Sequence, residues 1–121
     1  MLLSSRHEGR IAIFIVQGRF TLGPTLLRIK PRVLAALAAK ASAGLIINLA
    51  GISNIDSAGL GVLVSIYTAA TQRGIRVALV HANPKIGEML AATRLDGIFT
   101  VFDTEGSALE YLSKPQVPNQ P

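Results

Sequence analysis

Short runs of β-branched and aliphatic residues alternate along this chain with alanine- and leucine-rich stretches of helical period. That alternation restricts the fold more than any other feature. Arg10-Ile11-Ala12-Ile13-Phe14-Ile15-Val16-Gln17-Gly18 is apolar in consecutive positions and ends in glycine. Leu45–Leu49 and Ile75–Val80 repeat the pattern. Runs without polar alternation read as strands covered on both faces, and the helical stretches between them are the expected cover. Residues 1–9 are mixed and fit a short edge strand. Ile98–Phe102 fits a last, short strand.

The helical stretches fall between the strands. Leu26–Lys40 carries apolar residues at Val33, Leu34, Leu37 and Ala38, with Pro31 inside it. A helix there either starts near Pro31, with the proline in its first turn, or kinks at it. Gly44 is the expected stop. Arg19–Pro24 and Ala50–Asp56 read as loops. Ser57–Gln72 reads as a long helix stopped by Arg73-Gly74. Pro84–Thr93 is a helix opened by Asn83-Pro84, a cap followed by a first-turn proline. Thr104–Leu112 closes the order, with Thr104 as cap. The result is β-β-α-β-α-β-α-β-α, an α/β single domain: a central, mostly parallel or mixed sheet flanked by about four helices. It would occupy residues 1–113, with residues 114–121 a proline-rich flexible tail.

Composition narrows the function classes. The chain has 121 residues, half of them hydrophobic, and no cysteine. A thiolate metal site and a cysteine nucleophile are excluded. Only His7 and His81 could supply imidazole, and no motif joins them. No apolar run approaches the roughly 20 residues of a membrane span, and the N-terminus lacks the pattern of a signal peptide. A cytoplasmic protein is expected, with no membrane partner. The net charge is +5. Up to residue 55, Arg6, Arg10, Arg19, Arg28, Lys30, Arg32 and Lys40 stand against Glu8 alone. Such a face fits an acidic partner or a solvated surface. Nucleic acid is not expected, because the basic residues form no run and aromatics are only 5%.

Function in open α/β sheets gathers where strands end and helices begin. Asn48 to Gly61 is such a junction, and it places Asp56 and Ser57 at the mouth of the third predicted strand's helix. Free backbone N–H groups there favour an anion, so a phosphate on Ser57 would be tolerated. An Asp or Ser at that place also serves simply as an N-cap. A hydrolytic nucleophile is not indicated, since neither Gly-x-Ser-x-Gly nor a phosphate-binding loop occurs. Gly59 and Gly61 fit close packing better than dinucleotide binding. No enzyme activity and no cofactor are expected. From Ala58 to Gln72 the helix has no charged residue. Leu60, Leu63, Val64 and Tyr67 would face the sheet. Gly61, Val62, Ser65, Thr68 and Ala69 would form an uncharged outer face of the kind protein contacts use.

The segment Ile55-Asp56-Ser57-Ala58-Gly59-Leu60-Gly61 resembles the signature of STAS domains, specifically bacterial anti-sigma factor antagonists, whose motif is Asp-Ser-(Ser/Ala/Thr)-Gly before a small or apolar helix. The similarity extends over about residues 10–112 and includes Gly18, the Leu45–Leu49 strand, Gly74, Pro84 and Leu95–Phe102. The resemblance implies a phosphorylation switch without catalysis. Ser57 would be the phosphoacceptor of an anti-sigma factor that is a GHKL-type serine kinase. A PP2C-type phosphatase would reset it. Asp56 would orient or mark the site and Gly59 would allow close approach. Ala58, Gly61, Val62 and Ser65, with Arg19 and Thr21 from the loop near Gly18–Gly23, would contact the partner. Two departures stand out. The acidic stretch usual after the glycine is Gly18-Arg19-Phe20-Thr21 here, and Pro31 interrupts the first helix. The resemblance also fits a docking subunit of a lipid-transporting ABC system or a stressosome-like scaffold, and it leaves monomer and weak dimer open.

Overall fold

A computed structural model describes residues 2–114; the proline-rich segment 115–121 lies outside the described residues. Five strands form one sheet in the order β1-β2-β3-β4-β5. β1 (Leu2–Glu8) and β2 (Ile11–Phe20) form an antiparallel hairpin, turned at Gly9 with φ +58°. β3 (Gly44–Ile55), β4 (Arg76–Val80) and β5 (Thr100–Phe102) then add in parallel. The helices are α1 (Ile29–Ala39), α2 (Ser57–Gln72), α3 (Pro84–Ala92) and α4 (Glu105–Ser113). The mixed α/β order read from the alternation is the observed one.

Strand alternation divides the core in two. Ala12, Phe14, Val16, Leu45, Ile47, Leu49, Val77 and Leu79 point to the face covered by α1, α2 and α3. Ile11, Ile13, Ile46, Ala78 and Val80 point to the other, where Ala108 and Leu112 of α4 cover them. A sheet clad on both sides has no polar face, hence the unbroken apolar runs.

Several boundaries differ from the sequence expectation. β3 does not end at Leu49; it continues through Ile55, paired with β2 as far as Phe20. The expected loops at Ala50–Asp56 and Arg19–Pro24 are therefore partly strand. Gly, Ser and Asn are poor strand formers, but a partner ladder overrides local preference. Gly51 makes the passage possible, because a Cβ there would lie 2.7 Å from Gln17 Cγ and 3.0 Å from the Val16 carbonyl oxygen. Gly18 does not close β2. It sits inside the strand at φ +103°, beside a register shift, as β-bulges require.

The first helix begins two residues before Pro31, after a 3-10 turn at Leu26–Arg28. Pro31 is thus in the first turn, where a missing N–H loses no bond. The helix ends at Ala39 rather than Gly44, and the left-handed turn falls on Ala41 at φ +47°. Gly44 opens β3 instead, close against Leu112 and Ile11. β5 starts at Thr100; Leu95–Gly97 form another 3-10 turn before it. α2 has the expected bounds, but its buried residues are Gly59, Leu60, Leu63, Ile66 and Ala70. Val64 and Tyr67 are half-buried, not central. α2 packs on α1 as well as on the sheet, which rotates the buried stripe toward Ile66, while Tyr67 meets Phe99 edge to face at 5.3 Å.

Candidate functional site

Past Asn48, where β4 ends, β3 keeps β2 as its partner to the pair Phe20↔Ile55. The chain then turns directly into α2. Asp56 is the N-cap, in extended conformation, and its Oδ1 accepts the Gly59 N–H at 2.9 Å. Its Oδ2 accepts the Leu22 N–H, also at 2.9 Å. One carboxylate therefore caps α2 and ties down the loop after β2. These two N–H groups, Leu22 first and then Gly59, hold the Asp56 carboxyl below the usual carboxylate range.

Ser57 is the first residue of α2 and is exposed. Its neighbour Ala58 is half-buried. Gly59 is buried, and a Cβ there would stand 2.1 Å from the Phe20 carbonyl oxygen and 2.9 Å from Ile55 Cγ1. Its part is internal: only a glycine lets the first turn of α2 lie against the end of β2. Gly61 is exposed with open space around it. Ser57, Gly61 and Ser65 recur at a spacing of four and so share one helix stripe, with Ser65 and the adjacent Val62 half-buried. Arg19 is exposed, opposite Asn54 in the ladder, and Thr21 is half-buried two residues on. The structure thus brings Asp56, Ser57, Arg19 and Thr21 to one tip, with Gly61, Val62 and Ser65 leading away along α2.

Five further residues belong to this end of the molecule, Leu22, Leu27, Asn54, Asn83 and Lys85, and of these the sequence singles out Asn83 alone, as a helix cap. Leu22 and Leu27 are 73% and 68% exposed. Asn54 Oδ1 accepts from the Ile55 N–H at 2.9 Å and from the Lys85 ammonium at 2.8 Å. Asn83, which caps α3 through the Ile86 N–H, also donates to the Ile52 carbonyl at 3.3 Å. α3 therefore braces the end of β3. Only the cap itself had a local signal, in Asn83-Pro84. A cavity of about 300 Å³ opens elsewhere, at the far end of α2 between Tyr67, Arg76, Thr100 and Tyr111. Its guanidinium is engaged: Arg76 lies over the Tyr111 ring at 4.4 Å and donates to the Tyr111 and Lys114 carbonyls at the end of α4.

Among the described residues no three His, Cys, Asp or Glu side chains converge as a metal site. No helix among them is long and apolar enough to cross a membrane. His7 bonds Ser42 at 3.1 Å on the β1 side of the sheet. The tip offers a hydroxyl, a helix N-terminus and an uncharged helix face. Chemically it can receive a group or dock a protein.

Comparison with known proteins agrees with this arrangement. The STAS domain profile matches residues 4–108. A Thermotoga maritima protein provisionally named an anti-sigma factor antagonist is 39% identical over 62 residues, or 51% of this chain and 55% of that one. The anti-sigma F factor antagonist of Paenibacillus polymyxa is 31% identical over 68 residues, or 56% and 58% of the two chains. The chain thus spans little more than half the length of these relatives in the matched region. The crystal structure of a Thermotoga maritima protein, likewise provisionally named, superposes with a TM-score of 0.84 at 26% identity, covering 93% of this chain and 95% of that one. Fold, Asp-Ser-Ala-Gly junction and profile coincide on the same residues, and the chain belongs to the STAS domain family.

Proposed function

We propose that this chain is an anti-sigma factor antagonist whose tip docks an anti-sigma factor while Ser57 is unmodified and releases it when Ser57 is phosphorylated. The observation that carries the reading is the setting of Ser57. Its hydroxyl is exposed at the start of a helix without a charged residue, and the carboxylate beside it is bound by two backbone N–H groups. The names of the relatives support the same reading.

The switch is electrostatic. A neutral hydroxyl fits a dehydrated interface. A phosphate carries about −1.5 to −2 charges, and burying it unpaired is costly. On the free chain the same phosphate sits at a helix N-terminus, where the dipole and open N–H groups favour it. Phosphorylation therefore spares the fold and penalises the complex. A loss of about 3 kcal/mol weakens binding more than a hundredfold. The partner in this reading is a GHKL-type serine kinase acting as anti-sigma factor. A PP2C-type phosphatase restores the hydroxyl.

The test is capture from the native host with the parent protein, Ser57→Ala and Ser57→Asp, followed by identification of the bound proteins. The expected result is a GHKL-type kinase held by the parent and by Ser57→Ala and lost with Ser57→Asp. An ABC-transporter ATPase held equally by all three would overturn the switch and leave a docking module in which Ser57 only begins a helix.

A further inference from the structure

The tip that carries Ser57 is basic and apolar together. Leu22 and Leu27 are the most exposed large hydrophobic side chains among the described residues. Arg19 stands across the ladder from Asn54, and the Lys85 ammonium is fixed on that same Asn54. Arg28 ends the 3-10 turn that packs on α2. Arg19 and Arg28 are exposed and have no ion-pair partner among the described residues. The carboxylate built into the tip is Asp56, already bound by two N–H groups. Arg19, Lys85 and Leu22 thus sit on the strand ends, helix and loop tied to the Asn54–Asp56 turn, with Leu27 and Arg28 on the 3-10 turn that packs on α2.

We infer that this tip recognises an acidic protein surface, one that offers an apolar socket to Leu22 and Leu27 inside a rim of Asp and Glu. The inference rests on the docking role proposed for the Ser57 site and names the chemistry of the partner. Unpaired cations at an exposed edge steer association with an acidic surface and reject basic ones. The leucines distinguish protein from nucleic acid: apolar side chains at this exposure gain nothing from phosphates but bury well in a protein socket. The charge pattern also strengthens the switch. A phosphate on Ser57 offsets most of the positive charge of Arg19, Arg28 and Lys85. It then faces the partner's carboxylates as a like charge, so attraction is lost and repulsion is added.

The test places photoreactive benzoylphenylalanine at position 22 of the full chain in living host cells. Leu22 holds Asp56 through its backbone N–H, so the side-chain exchange leaves that bond in place. Adducts are mapped to the partner peptide by mass spectrometry. The same probe is placed in an Arg19→Glu/Arg28→Glu background and in an Arg73→Glu background, where Arg73 lies at the opposite end of α2. Circular dichroism checks that each variant is folded. The expected adduct is a peptide rich in Asp and Glu, reduced about tenfold or more by the double reversal and unchanged by Arg73→Glu. No adduct, an adduct with nucleic acid, a peptide without acidic residues, or an adduct undiminished by the double reversal overturns the inference. An acidic contact on a protein other than a serine kinase supports this inference and overturns the kinase reading. A kinase captured through a segment without acidic residues does the reverse.

Discussion

Asp56 does two jobs with two oxygens, and a single substitution separates them. Asp56→Asn keeps one acceptor, enough for the cap on Gly59, since Asn is as good an N-cap as Asp. The amide nitrogen that replaces the second oxygen cannot accept the Leu22 N–H. The expected outcome by NMR is a retained Gly59 amide shift with a Leu22 amide that moves upfield and exchanges faster. An unchanged Leu22 amide would refute the clamp. The cap was legible in the sequence, because an Asp three residues before its donor is a local arrangement. The clamp was not, because Leu22 and Asp56 are 34 residues apart.

Elements meet the site through their glycines. Gly59 and Gly61 lie two apart in α2 and look alike in the sequence, yet their surroundings are opposite. Alanine at 59 would drive a methyl into the Phe20 carbonyl and force α2 off the end of β2. Gly59→Ala is expected to lose about 3 kcal/mol or more of stability in denaturant unfolding, at the upper end of overpacking costs. Gly61→Ala meets nothing within 4 Å. It should stabilise by about 0.5–1 kcal/mol, the usual gain over glycine in a helix interior. Equal effects would mean that α2 does not lean on Phe20. β3 likewise runs beyond the apolar Leu45–Leu49 stretch because of its partner. Ala50-Gly51-Ile52-Ser53-Asn54 has the composition of a loop, and only the ladder to β2 makes it a strand.

At the scale of the whole molecule, the β2–β3 extension carries the main core through Phe20, Ile52 and Ile55 up to the start of α2, while α4 closes the opposite face of the sheet. Glu105, at the start of α4, accepts from Arg6 of β1 and from Asn48 of β3 at 2.7 Å. The Arg6 guanidinium first, then the Asn48 amide, hold its carboxyl below the ordinary range. Asp56 is shifted the same way. A carboxyl with a lowered folded pKa contributes stability above its unfolded value and loses it as pH falls through the folded one. Stability should therefore be level above about pH 5 and decline below about pH 4, where unfolded carboxylates take up protons first. Glu105→Ala should flatten that decline in urea unfolding followed across pH. A profile identical to the parent's would show that the Arg6–Glu105–Asn48 bridge adds nothing.

The sequence by itself determined what depends on neighbours a few residues away. Strand–helix alternation, both ends of α2, the caps Asp56, Asn83 and Thr104, and the absence of charge along α2 are all properties of single segments. Helical period and side-chain-to-backbone caps act over three or four residues, so they can be read in order along the chain. Only the tertiary structure decided that Gly59 is internal, that Lys85 reaches Asn54 from 31 residues away, and that Leu22 and Leu27 stand exposed, with the Leu22 N–H held by Asp56. Those facts follow from the register of β2 on β3. Two shifts between Ile15 and Arg19 change which side chains face inward, and such shifts arise from pairing between strands, not from either strand alone.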